Sequence, residues 1–262
     1  MRFNPLPTMA NAAVLAGGLI LAVTAHADVT LNAGAKLSYE TNVNGSPDEP
    51  TAANQESDTY LTLNASAVYY TPLDPAKTSY FIGQVGALTS AYDRFDNLDN
   101  SMLMASAGVY KQLSPNWSGQ LTGRGFFRDT QQDARDSDGL GATLEIKRQL
   151  GQTFWVKAIA DYEDNKADLQ AFSYTGETYG VNFGYLPLQD TFISFGYSHA
   201  KRDFDTASPF RTTAQTVFAE VTQRLAKNWY LNGGYAYRDN DSNFAGTAYT
   251  NHIVSLGLNF SH

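Results

Sequence analysis

Past residue 27 the chain carries three histidines, His199, His252 and His262, and no cysteine. A Ser–His hydrolase needs both side chains on one face, with a third polar group to orient the base. His199 adjoins Ser198, but neighbours on a strand point to opposite faces. It shares parity instead with Phe195 and Tyr197, an apolar set. It therefore reads as a structural residue near an aromatic rim, and no enzyme is expected. The stretches Asp133 to Asp138 with Gly139, and Asp239-Asn240-Asp241, cluster oxygens of the kind Ca²⁺ takes. They lack the full spacing with a closing Glu, and Asp and Asn favour turns in any case. No metal and no cofactor are expected, because no His/Cys set, phosphate loop or nucleotide fingerprint is present.

The ionisable residues with a coherent pattern are bases. Lys36, Arg124, Arg128, Lys147, Lys157, Arg202, Arg224 and Arg238 all fall on the polar face of a two-residue alternation. Glu40, Glu145, Asp161 and Glu220 share that face. An interior holding Lys36, Arg124, Arg128, Glu145, Lys147, Lys157, Asp161, Glu220, Arg224 and Arg238 would carry excess positive charge and favour anions. The competing expectation is a closed interior, in which Glu145 pairs with Lys147, Lys157 with Asp161, and Glu220 with Arg224. Elsewhere the balance reverses. The polar connections and their flanks hold 18 of the 26 acids and only 4 of the 18 bases. Without Arg2, 17 Lys+Arg face 26 Asp+Glu, a net of −9. That excludes nucleic acid as a partner, since phosphate binding needs a basic footprint.

What must position these residues is a set of strands. Residues 1–27 read as a cleaved signal peptide: Arg2, an apolar run from Ala10 to Val23, then Ala25-His26-Ala27 before Asp28. From 28 to 262 the period is two, in segments 28–40, 58–70, 78–92, 101–113, 117–129, 139–149, 153–163, 175–186, 191–202, 212–225, 228–239 and 249–261. In the second, Leu61, Leu63, Ala65, Ala67 and Tyr69 oppose Thr62, Asn64 and Ser66. In the tenth, Val217, Ala219 and Val221 oppose Thr216, Glu220 and Thr222, with Phe218 on the polar side. Strands of about ten residues with dyad alternation predict a transmembrane up-and-down antiparallel barrel of about twelve strands, with ten or fourteen as alternatives. Soluble sandwiches use strands nearer five or six.

Short connections such as Ser114-Pro115-Asn116 alternate with long polar ones, as periplasmic turns alternate with external loops. An even count puts both termini on the periplasmic side. Trp117, Trp155 and Trp229 each begin a strand after a short turn, with Tyr69, Tyr80, Tyr110, Tyr185, Phe154, Phe192 and Phe260 at the same level. Tyr39, Tyr60, Phe127, Tyr162, Tyr179, Tyr197 and Tyr237 fall near the other rim. Amphipathic rings prefer the headgroup level, so two aromatic girdles are predicted.

The closing run Asn251-His252-Ile253-Val254-Ser255-Leu256-Gly257-Leu258-Asn259-Phe260 is an amphipathic strand ending in an aromatic residue, followed by Ser261 and His262. With it the sequence resembles Gram-negative outer-membrane β-barrel proteins of the small porin-like type over 28–262. The strand count is similar to that of oligosaccharide-specific small porins. The Tyr-rich, Asp/Asn-looped texture is similar to the barrels of surface-lipoprotein assembly modifiers. The resemblance implies an outer-membrane location, with lipid, lipopolysaccharide and the barrel-assembly machinery as partners. It also implies passive passage of a small hydrophilic or anionic solute. The alternative is a non-conducting surface barrel for adhesion, envelope assembly or export of a partner.

Overall fold

The structure, a computed structural model, describes residues 28–48, 52–206, 209–244 and 247–262. The leader expected over 1–27 lies outside the described residues. Twelve strands follow one another: β1 (Asp28–Glu40), β2 (Asp58–Pro72), β3 (Ser79–Tyr92), β4 (Asn100–Ser114), β5 (Trp117–Thr130), β6 (Ser137–Leu150), β7 (Phe154–Ala167), β8 (Tyr174–Leu188), β9 (Thr191–Phe204), β10 (Phe210–Ala226), β11 (Trp229–Ser242) and β12 (Tyr249–Ser261). Each pairs antiparallel with its neighbours in sequence, and β1 closes on β12 with Leu37 opposite Leu256 and Ala33 opposite Phe260. Closure leaves no strand edge with unpaired amides. Among the described residues no helix is long and apolar enough to cross a membrane.

The burial pattern is inverted relative to a water-soluble protein, whose large apolar side chains go inside. Here Phe127 is 68% and Leu140 70% exposed on the outer wall, while Glu145 and Lys157 inside are only 5% and 4% exposed. An apolar exterior of this kind is suited to lipid. Its height agrees. Aromatic residues mark the two ends on β5 (Trp117, Phe127), β7 (Phe154, Tyr162) and β11 (Trp229, Tyr237). Eight to ten residues at about 3.4 Å each, tilted by about 40°, span roughly 21–26 Å, the height of the apolar band of such barrels. Just beyond the second ring the outward positions turn polar, at Asp129, Asp164 and Asp239.

Not every ring belongs to that wall. Tyr69, Tyr185, Trp117, Trp229 and Phe260 point outward at the short-turn end. Trp155 does not, which corrects its expected place in the girdle. It shares parity with buried Lys157 and Asp161, and its indole lies against Gly184 inside the barrel. Tyr60, Tyr80, Tyr110 and Phe192 also face inward, where Tyr60 stacks on Tyr92 at 4.7 Å and Tyr80 meets Tyr110 at 6.2 Å. Level along the strand was legible for these rings; parity was the error.

At the long-loop end three connections repeat one device. Each contains a short 3-10 turn, at Asp96–Leu98, Asp133–Arg135 and Gln170–Phe172. Each is locked to the preceding strand by the residue after it: Asp99 accepts from the Tyr92 amide, Asp136 from Thr130, and Ser173 from Ala167, at 2.7, 2.7 and 2.9 Å. Each also accepts a backbone hydrogen bond from the next long loop: Asp99 from Gln131, Asp136 from Asp168, and Ser173 from Asp205. The acidic stretch 133–138 thus includes a capping residue, and among the described residues no group of three or more acidic, His or Cys side chains is placed to hold a metal.

Candidate functional site: the barrel lumen

β6 carries two glycines on its lumen side, and they decide how the interior is filled. A Cβ at Gly139 would collide with the ring of Phe126, and one at Gly141 would lie 2.5 Å from the guanidinium carbon of Arg124. With no side chain on β6 at these levels, Arg124 of β5 crosses it and reaches β7. Its guanidinium donates to Asp161 at 2.6 Å and 3.1 Å, to Glu163 at 2.9 Å and to the Thr143 hydroxyl at 3.1 Å. Glu163 also accepts from the Tyr174 hydroxyl at 2.7 Å. Lower down, Lys157 bonds Glu145 at 2.9 Å. These are buried, charge-assisted contacts, among the stronger hydrogen bonds available.

The buried pairs of Arg124 with Asp161 and Glu163, and of Lys157 with Glu145, run between strands. Lys147 does not pair with Glu145; its ammonium sits 4.6 Å from the centroid of Trp155. Glu220 accepts from Asn232 and Thr222, both at 3.3 Å. Arg224 departs from the expected lumen set. It lies half-exposed at the short-turn mouth, donates to the carbonyls of Ala226 and Lys227, and approaches Asp190 at 3.6 Å. Glu163, at the end of the expected seventh segment and counted with the flank of a polar connection, stands well inside β7, which runs on to Ala167.

Five lumenal cations remain outside any ion pair among the described residues: Lys36, Arg128, Lys147, Arg202 and Arg238. Lys36 and Arg238 line a small cavity with Glu40 and Glu220. Arg128 lies over Phe126 at 5.5 Å and Arg202 over Tyr174 at 4.8 Å, cation–π contacts that hold a guanidinium without cancelling its charge. Both face a cavity of about 720 Å³ toward the long-loop end, overhung by Leu98, Arg135 and Phe172 of the 3-10 turns. A second cavity, of about 200 Å³, continues toward the short turns past Lys36 and Tyr230. The two share Gln84, Leu88, Met102 and Met104, so the spaces meet along β3 and β4.

An even-stranded barrel with an apolar belt and a polar lumen invites comparison with solved structures. The COG4313 outer membrane channel from Pseudomonas putida F1 superposes with a TM-score of 0.59 at 13% identity, covering 92% of this chain and 97% of the other. The NanC porin gives 0.54 at 8% identity, covering 87% and 98%. The chain has the fold of outer-membrane porins and channels. No protein-family model matches it, and neither does any curated protein. At these identities the likeness is one of fold.

Proposed function

We propose that this chain is an outer-membrane, porin-like channel for passive diffusion of small hydrophilic or anionic solutes. The observation that carries the reading is that Arg128 and Arg202 face the large lumenal cavity without an ion pair. Charges in a low-dielectric wall focus the field and raise the local anion concentration. The fold shared with a channel and a porin supports the same class. In this reading both termini and the short turns face the periplasm, the acidic loops face lipopolysaccharide, and the barrel-assembly machinery inserts the chain. Residues 1–27 are its leader, so N-terminal sequencing of the inserted protein should start at Asp28.

The deciding experiment is planar-bilayer conductance of the refolded barrel in a KCl gradient. The reversal potential should show preference for chloride over potassium, weakening as salt screens the field over about 10 Å at 0.1 M. Arg128→Gln with Arg202→Gln should reduce that preference. A folded but silent barrel would reject conduction in favour of a structural or assembly role; a cation-selective current would reject this account of the lumen.

A further inference from the structure

The lumen is chemically two-sided. Water-filled barrels present polar residues inward, yet β2–β5 turn Val68, Ile82, Leu88, Met102, Met104 and Phe126 to the interior. The register aligns them. One row across β2, β3, β4 and β5 reads Asn64, Leu88, Met102, Arg128; the next reads Ser66, Gly86, Met104, Phe126. Val68 and Ile82 are consumed in packing with Tyr70. Leu88, Met102 and Met104 are not: they are only partly buried and line both cavities where the two meet. Met102 lies directly across from Arg128 in the β4–β5 register.

We infer that the solute this lumen selects is an anion with an apolar body, an aromatic or aliphatic carboxylate, rather than a sugar acid. The inference rests on the channel reading and names its solute class. A cavity of 720 Å³ is in the range that holds a small molecule. Arg128 and Arg202 supply forked donors for the carboxylate. The thioethers and the leucine supply a soft, adaptable surface for a ring or alkyl chain. A sugar acid would press hydroxyls against that same surface, losing their hydrogen bonds to water without replacement. Arg124 is excluded from ligand binding by Asp161 and Glu163, which already hold its guanidinium.

The test is equilibrium binding of benzoate and glucuronate to the refolded barrel in nanodiscs, read as ligand-observed NMR titrations. Each ligand carries one carboxylate, so the difference reports on the body. Benzoate should bind about tenfold more tightly, the size expected when one or two methylene-sized contacts are gained. Met102→Gln with Met104→Gln should erase that advantage, while Met102→Leu with Met104→Leu should keep it. The leucine pair also controls for folding, which heat-modifiable migration on gels checks for both variants. Equal or tighter glucuronate binding would overturn the inference, as would an advantage that survives the glutamine pair. KCl current from the same samples separates the two ideas. A silent barrel that still prefers benzoate through the methionines defeats conduction but keeps the site. A conducting barrel without that preference keeps conduction and defeats the site.

Discussion

Arg124 shows what a single lumenal residue does in this barrel. Its guanidinium bridges Asp161 and Glu163, with the three side chains 7%, 3% and 12% exposed. Two carboxylates held so close together tolerate their shared burial because one cation serves both. Arg124→Met should therefore cost about 3 kcal/mol, since breaking a buried pair strands charge that water no longer reaches. The triple change Arg124→Met, Asp161→Asn and Glu163→Gln removes the charges as a set and should recover most of that loss. Urea unfolding from lipid vesicles measures both. A single variant as stable as the parent would mean that lumenal water solvates the acids adequately.

At the scale of the element, the connection between β2 and β3 is a turn held by one carboxylate. Asp74 accepts from the Thr78 amide at 3.1 Å and from its hydroxyl at 3.0 Å, while Lys77 takes a positive φ of 53°. The amide bond from Thr78, with support from Ser79, holds the Asp74 carboxyl below its usual range. A carboxyl lowered in the folded state contributes stability above its unfolded value, near 3.9, and loses it as pH falls through the lowered value. Hydrogen exchange at the Thr78 amide should therefore accelerate relative to a turn amide without a carboxylate partner, below about pH 4 and not above it. Asp74→Asn should remove that pH dependence. Unchanged protection between pH 5 and pH 2.5 would show that the turn does not need the ionised carboxyl.

For the whole molecule, the barrel divides an outer wall from a lumen, and neighbouring residues test that division. Leu256 on β12 is 57% exposed and faces outward; Ser255 beside it faces in and lines the lumen. Leu256→Arg should cost about 2–4 kcal/mol in a bilayer and Ser255→Arg much less, because only the first puts charge into hydrocarbon. Equal costs in vesicle unfolding would invert the assignment. Much of this molecule is legible in the sequence. Strand after strand begins and ends within four residues of its expected place, because a strand with one face in lipid and one in a polar lumen must alternate, and alternation is a property of sequence. The outward-facing members of the girdle, Trp117, Trp229, Tyr69, Tyr185 and Phe260, were legible for the same reason. β4 was the weak case: its lumen residues Met102 and Met104 alternate with Leu103 and Ala105, so both faces are apolar and neither announces itself as the interior. What required the tertiary structure was everything that depends on register between strands. That Arg124 passes over Gly141 to reach Asp161 and Glu163, that Trp155 turns inward over Gly184, and that Met102 meets Arg128 all follow from which residues lie side by side after closure. Sequence sets the period within a strand through local backbone geometry. Partners across strands are set by closing the barrel, where loop lengths, bulges and packing together select one register from many.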